Sequence, residues 1–245
     1  MCSSDLGSLL ANLEVHRVGD LFMASDDWYL QQAADKGLLD EQLPVAVMLP
    51  VLAVPKGNPR KIQSLQDLAR DDLKVGLGNV EQTVVGRLSS SILQKAGLWD
   101  RVRANVQSHG VFKPTVPDLA NDLKLGHIDV AIVFDATVRQ YPSLEMVEFP
   151  ASKENPQHVA IGVLKCSDRP TRALHFARYV TARDRGLPHF QALGYQPVQG
   201  DRWADRPEIE LLSGSILKPA IEKTLDEFSR REGVSIATKY NGCGV

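Results

Sequence analysis

The chain has 245 residues, of which 43% are hydrophobic and 24% are charged, and its net charge at pH 7 is −2. This composition is typical of a globular protein that is long enough to form two hydrophobic cores. The absence of a basic block argues against a nucleic acid as partner, and no apolar run approaches the roughly 20 residues that span a bilayer.

The first six residues do not resemble the rest of the chain. Cys2-Ser-Ser-Asp-Leu6 is what a common sequencing-adapter end encodes when it is translated in frame, so we interpret residues 1–6 as a processing scar. An ordinary flexible N-terminus is the alternative. On the first interpretation, the native N-terminus and any signal segment are expected to be missing.

The first predicted elements are a short helix, a short strand and a second helix. Apolar positions after Gly7 predict the first helix, and residues 21–23 predict a buried strand. Residues 28–38 predict the second helix, which Gly37 closes in the left-handed conformation. Residues 45–54 form the longest apolar run, interrupted by Pro50, and they predict a buried strand pair or a hinge.

From residue 74 onward, strands alternate with helices. Residues 74–78 predict a strand followed by a helix that stops at Gly97, and residues 130–134 predict another strand. Between them, residues 116–125 predict a helix capped by Thr115, with Pro117 in its first turn. This alternation predicts an α/β protein with mostly parallel central sheets.

The last part of the chain begins with a strand at residues 159–164 and two helices. After a polar linker at residues 199–207, a strand, a helix and a second strand precede a glycine loop at residues 241–244. The helix at residues 217–231 carries an apolar face that would be exposed if this tail stayed alone. We therefore expect residues 208–245 to fold back onto the rest of the chain.

Three segments carry a family resemblance. They are Gly19-Asp-Leu-Phe-Met-Ala-Ser-Asp-Asp27, residues 45–55 with Gly57-Asn-Pro59, and Leu125-Gly-His-Ile-Asp-Val-Ala-Ile-Val-Phe134. In this order they resemble type 2 periplasmic solute-binding proteins, most closely the molybdate-type binding proteins of ABC importers. The resemblance covers nearly all of the chain from Gly7 onward.

The resemblance implies a two-lobed fold. Residues 7–55 and 158–200 would form one lobe, and residues 56–157 would form the other. The tail at residues 208–245 resembles the opening of a lobe, so it is either the start of a second module in a tandem protein or the permuted first strands of lobe one. Both interpretations can hold together.

The resemblance also implies an anion site at helix N-termini, where backbone N–H groups carry a partial positive charge. The candidate ligand-binding residues of this chain are Ser213, Ser215, Gly242, Cys243, Thr83, Val85, Thr115, Val116 and Asp135. A structural alternative stands beside each hydroxyl, because serine and threonine commonly cap helices. For Cys243 the alternative is a buried packing thiol.

Two residues depart from the family pattern. Phe134 stands where the family has a tyrosine whose hydroxyl reaches the oxyanion, and Asp135 follows where a small residue is usual. A carboxylate there would repel a dianion unless a cation such as Arg139 were paired with it. The alternative is that Asp135 caps the residues 136–139.

Catalytic and metal-binding patterns are not found. The six histidines are scattered, the three cysteines match no zinc or redox spacing, and no nucleophile elbow, phosphate-binding loop or dinucleotide fingerprint occurs. We therefore expect a protein that is not an enzyme and needs no cofactor or metal. Its partners would be a small oxyanion, molybdate or tungstate before others, and the membrane permease of an ABC importer.

The predicted protein is a monomer located in the periplasm or otherwise outside the cytoplasm. Two alternatives remain. One is the ligand-sensing domain of a LysR-type regulator, for which a DNA-binding segment upstream would be expected. The other is an enzyme on the same scaffold, for which a strongly perturbed carboxylate, Asp135 or Asp26, would be the discriminating sign.

Overall fold

The computed structural model describes residues 4–203 and 208–241. The strands are β1 (Leu21–Ala24), β2 (Leu39–Met48), β3 (Pro50–Pro55), β4 (Val75–Gly78), β5 (Val111–Lys113), β6 (Val130–Phe134), β7 (Leu144–Val147), β8 (Gln157–Leu164), β9 (Gln196–Pro197), β10 (Glu208–Gly214) and β11 (Ser235–Asn241). The α-helices are α1 (Ser4–His16), α2 (Asp27–Asp35), α3 (Val84–Lys95), α4 (Trp99–Ser108), α5 (Val116–Leu125), α6 (Asp135–Arg139), α7 (Pro170–Val180), α8 (Leu187–Ala192) and α9 (Lys218–Glu232). Single 3₁₀ turns lie at Leu65–Ala69, Pro150–Ser152 and Ser215–Leu217.

These elements form two lobes, each with its own sheet, and the predicted α/β class is confirmed. The sheet of lobe one has the strand order β1-β8-β2-β9, and the sheet of lobe two has the order β5-β4-β6-β3-β7. Within the described ranges, no helix combines the length and apolar character needed to cross a membrane.

The pairing directions differ from the prediction of mostly parallel sheets. In lobe one every pairing is antiparallel, because β8 returns from the other lobe and runs against both β1 and β2. In lobe two, β4 pairs in parallel with β5 and β6, while β3 runs antiparallel to β6 and β7. Parallel pairing therefore occurs where a helix connects two strands of the same lobe.

The chain crosses between the lobes twice. The strand pair predicted at residues 45–54 is observed as the end of β2 in lobe one and most of β3 in lobe two, with Leu49 between them. The second crossing connects β7 to β8 and contains Ser152, whose buried hydroxyl donates a hydrogen bond to the Pro50 carbonyl. The two crossings are thus joined to each other.

Several helix ends follow from capping residues in the sequence. Asp26 accepts a hydrogen bond from the Tyr29 amide at the start of α2, at 2.8 Å. Beyond the end of this helix, Gly37 has a φ of +64°, as the sequence predicts. At the end of α5, Gly126 has a φ of +71°, and its amide returns to a carbonyl of the helix.

The tail at residues 208–241 forms a separate unit. Strands β10 and β11 pair in parallel with each other, and they form a two-stranded sheet of their own. Helix α9 packs on α7 of lobe one, where Arg178 pairs with Glu232 at 2.8 Å. Arg231 adds ion pairs to Asp40 and Glu41 of β2.

The tail does not join the sheet of lobe one in the described residues. Among the described strands, β1 lies at the edge of its sheet and pairs only with β8. Apolar tail side chains remain exposed, among them Leu212 at 69% and Ile216 at 81%. The fold-back of the tail onto lobe one is therefore observed as helix packing, while its insertion as permuted strands stays a prediction.

Candidate functional site

Three helices begin at one edge of the lobe-two sheet. Strands β5 and β6 run parallel to β4, so their carboxyl ends lie at the same edge as the end of β4. Each of these ends leads into a helix, namely α3, α5 and α6. The structure therefore brings together the predicted site residues at the starts of these helices: Thr83, Val85, Thr115, Val116 and Asp135.

The Thr83 hydroxyl organises the start of α3. It donates to the Asn79 carbonyl at 2.8 Å and accepts from the Gly86 amide at 2.9 Å. Because both functions of this buried hydroxyl are used, Thr83 is a cap here. The amides of Val84 and Val85, in contrast, form no hydrogen bond within residues 4–203 and 208–241, and they are the donors that the helix end still offers.

Two glycines let α3 start close to the end of β4. A Cβ added at Gly86 would lie 2.4 Å from the Asn79 carbonyl oxygen and 2.6 Å from that of Gly78. A Cβ at Gly78 would lie 2.4 Å from the Thr83 hydroxyl oxygen. Side chains at these positions would push the helix start away from the sheet, so the site's amide donors depend on both glycines.

The start of α5 is capped in the same way but carries a carboxylate. The Thr115 hydroxyl accepts from the Asp118 amide at 3.1 Å and donates to the Asp118 carboxylate at 2.6 Å. Pro117 has no amide hydrogen, so Val116 offers the remaining donor. The negative charge of Asp118 already offsets part of the positive potential at this helix end.

Asp135 is not available to a ligand in this arrangement. Its side chain is 2% exposed, and Oδ1 accepts from the amides of Leu49 at 3.0 Å and Ala136 at 2.9 Å. Oδ2 accepts from the Gln196 side chain at 2.6 Å. Asp135 is itself the first residue of α6, and of the capping role that the sequence left open the contacts show only the bond from the Ala136 amide.

Across from α3, lobe one contributes a cluster that motif analysis does not identify as a site. Asp26 is fully buried, and burial raises the pKa of its carboxyl, while the charge of Arg87 opposes that rise. The Arg87 guanidinium, which comes from α3, lies over the rings of Trp28 and Tyr29 at 5.2 and 5.6 Å. The raised pKa follows from the burial of a capping residue, so it is no independent sign of an enzyme.

The remaining predicted site residues lie on the tail. Ser213 is half-buried and Ser215 is exposed, and the hollow beside Ser213 is lined by tail residues alone. Among the described residues, the structure therefore does not bring these serines to the edge where α3 and α5 begin. Gly242 and Cys243 lie outside the described residues.

Comparison with known proteins gives one family. A family model described as "Bacterial extracellular solute-binding protein" matches residues 3–196. A Haemophilus influenzae protein named only as a binding protein is 24% identical over 195 residues, which are 79% of this chain and 77% of that protein.

Two further proteins are similar to this chain. The molybdate-binding protein ModA of Mycobacterium bovis is 27% identical over 176 residues, which are 71% of this chain. This chain spans 64% of the length of that relative. The periplasmic molybdate-binding protein of Azotobacter vinelandii has the same fold, with a TM-score of 0.62 at 18% identity, over 81% of this chain and 85% of that one.

Proposed function

The chain belongs to the bacterial extracellular solute-binding proteins, and we propose that it captures a small oxyanion between its two lobes, with molybdate or tungstate as the first candidates. Capture in this form needs no cofactor, because backbone donors and lobe closure suffice to hold an anion. The protein would act outside the cytoplasm, as a monomer, and would deliver the solute to the permease of an ABC importer.

One observation carries this proposal. The start of α3 offers the amides of Val84 and Val85, and the start of α5 offers that of Val116, all at one edge of the lobe-two sheet. Donors at a helix N-terminus favour an anion through their partial positive charge. Thr83 and Thr115 support this arrangement because their hydroxyls cap the two helices, and not because those hydroxyls would contact the ligand.

The choice of ligand rests on relatives. The Mycobacterium bovis relative is named for molybdate, and so is the Azotobacter vinelandii structure. Phe134, which is 7% exposed, offers no hydroxyl to such a ligand. Backbone donors would therefore carry more of the binding in this chain than in a relative with tyrosine at that position.

The tail would supply the lobe-one side of the site. One edge of strand β1 has no partner strand in residues 4–203 and 208–241. In the permuted arrangement β10 would pair with this edge and bring Ser213, Ser215, Gly242 and Cys243 toward the start of α3. The same tail would open the second module of a tandem protein. Ser213→Ala and Ser215→Ala test the permuted arrangement directly. Weaker oxyanion binding by these variants requires the tail to reach the site, whereas unchanged binding excludes a contribution of the two serines to the site.

The decisive experiment is a thermal-unfolding titration of the 245-residue chain with molybdate, tungstate, sulfate and phosphate. A ligand that binds only the folded state adds about 2.7 kcal/mol at a hundredfold excess over its Kd. We expect molybdate and tungstate to raise the Tm more than sulfate and phosphate do. No shift with any of the four would refute oxyanion capture by this chain.

A matched pair of variants tests the helix end. Val84→Pro removes one amide donor at the first helical position, where proline is tolerated, and the preceding Thr83 already has the extended φ of −123° and ψ of 144° that proline requires. Val84→Ala keeps the donor. We expect the proline variant to lose oxyanion affinity and the alanine variant to keep it, and equal affinities would exclude the Val84 amide as a ligand donor.

A further inference from the structure

Arg87 connects the two lobes through its side chain. It belongs to α3 of lobe two, but its guanidinium carbon lies 5.2 Å from the centre of the Trp28 ring and 5.6 Å from that of Tyr29, both on α2 of lobe one. These distances are within the range of cation–π attraction. A single cation of lobe two is thus held by two rings of lobe one.

A buried carboxylate lies in the same region. Asp26 is fully buried, and its Oδ1 accepts from the Tyr29 amide at 2.8 Å. Its Oδ2 is buried without a hydrogen-bond partner in the described part of the chain, and the same is true of Nη2 of Arg87. The positive charge of Arg87 lowers the pKa of Asp26 against the larger effect of burial, which raises it, so the two groups interact electrostatically.

The two groups complement each other. A buried charge without a partner is costly, and here each lobe contributes one charge of opposite sign beside the same aromatic rings. Asp26, Trp28 and Tyr29 together form a receptacle for a cation, and we call them the α2 receptacle. Among the described residues, Arg87 is the only cation that makes cation–π contacts with the α2 receptacle.

We propose that Arg87 is a positioning residue that holds the start of α3 against lobe one by docking in the α2 receptacle. Arg87 lies in the first turn of α3, three residues after Val84, whose amide is a proposed oxyanion donor. Docking therefore fixes the position of the donors relative to lobe one and keeps the lobes closed. The effect on ligand release rests on the proposed function, whereas the effect on lobe closure does not.

Variants of Arg87 distinguish the effect of its charge from the effect of its side-chain length. Arg87→Met removes the charge and keeps a long side chain, and Arg87→Lys keeps a charge that can still interact with the rings. Asp26→Asn keeps an acceptor for the Tyr29 amide but removes the negative charge of the receptacle. Arg101→Met is the matched control, because Arg101 is an exposed cation of lobe two whose ion pair with Asp71 spans 4.0 Å.

Lobe closure is measured without any ligand. Spin labels at Lys124→Cys in lobe two and Lys165→Cys in lobe one report the distance between the lobes, with Cys2, Cys166 and Cys243 replaced by serine. Both labelled positions are exposed. We expect Arg87→Met to shift the distance distribution to longer values, Arg87→Lys to shift it less, and Arg101→Met to leave it unchanged. An unchanged distribution in folded Arg87→Met overturns the proposal.

Molybdate release is the second measurement. We expect Arg87→Met to raise the dissociation rate roughly tenfold, which corresponds to about 1.4 kcal/mol, with little change in the association rate. If the wild-type chain binds no oxyanion but Arg87→Met still opens the lobes, the positioning role stands and the proposed function fails. If molybdate binds and Arg87→Met changes neither the distance nor the dissociation rate, the positioning role fails alone.

Discussion

Asp135 of lobe two and Gln196 of lobe one are joined by a hydrogen bond of 2.6 Å between Oδ2 and Nε2. The bond lies beside the first crossing between the lobes, because Oδ1 of the same carboxylate accepts from the amide of Leu49. The Asp135 amide in turn donates to the Leu49 carbonyl at 2.9 Å. Asp135 thus holds the crossing segment and the returning strand β9 in one place.

Removal of the Asp135 carboxylate should destabilise the protein. Asp135→Ala leaves the half-buried amide of Leu49 without its acceptor, and we expect a loss of about 1–3 kcal/mol in the free energy of unfolding, measured with urea. Asp135→Asn should recover most of that loss, because its amide oxygen can accept from Leu49 and Gln196 can turn its own amide oxygen toward the new N–H.

The same two variants distinguish a structural role of Asp135 at the crossing between the lobes from direct contact with the ligand. If Asp135 contacted the ligand instead, Asp135→Asn would change oxyanion affinity and leave stability unaltered. Gln196→Ala serves as a control, since Gln196 is exposed and its loss should cost less than that of Asp135.

Thr83 offers a second stability test at the site itself. Thr83→Val replaces the buried hydroxyl by a methyl group of similar size, so the Gly86 amide loses its partner and the Asn79 carbonyl keeps only the Thr83 amide. We expect a loss of about 1–2 kcal/mol in urea unfolding. Thr83→Ser keeps the hydroxyl and should lie within a few tenths of a kcal/mol of wild type. Equal stability of the two variants would mean that the cap contributes nothing.

Gly86 tests the close contact between α3 and the end of β4. Glycine in a helix is normally about 1 kcal/mol less favourable than alanine, so Gly86→Ala would stabilise an unobstructed helix. Here the added Cβ would meet backbone oxygens at 2.4 and 2.6 Å, and we expect a loss of about 1–3 kcal/mol instead. Gly214→Ala is the control, because nothing lies within 4 Å of its added Cβ.

The raised pKa of Asp26 predicts a specific dependence of the free energy of unfolding on pH. The pKa of this carboxyl in the folded protein is raised above the ordinary value of 3.8, chiefly by burial. Between the ordinary pKa of the unfolded chain and the raised pKa of the folded protein, the folded state binds more protons than the unfolded state. The contribution of Asp26 to the free energy of unfolding therefore falls as the pH rises through this window, and it is constant at higher pH.

Asp26→Asn removes this dependence and keeps the cap. The difference in unfolding free energy, variant minus wild type, should therefore increase as the pH rises from about 3.8 and then level off. Urea unfolding at a series of pH values measures it, and the other acids contribute equally to both proteins. A difference that stays flat over the acid range would show that Asp26 has an ordinary pKa.

The sequence predicted those elements whose signals are local. Thr115 and Pro117 indicate the start of α5, and the observed helix has the predicted bounds. Helix α4 and the short strands β5 and β7 were not predicted. Helix α4 begins after Leu98, which provides no side-chain cap, and β5 has three residues, too few for a periodic pattern.

The site was predictable only in part for the same reason. Capping at Thr83 and Thr115 depends on residues three positions away, which the sequence shows directly. The contact of Arg87 with Trp28 and the bond of Asp135 with Gln196 join distant parts of the chain, so they depend on how the two lobes pack. No spacing rule reports such contacts from a single sequence.

The hydrogen bond from Ser152 to the Pro50 carbonyl has a consequence for how the lobes can move. It pins the second crossing to the first residue of the lobe-two sheet, and it does so between buried atoms. Twisting one crossing against the other would break this bond and leave both groups unpaired, while bending both together would not. Opening and closing should therefore bend the two crossings together, with the bond between Ser152 and Pro50 kept intact.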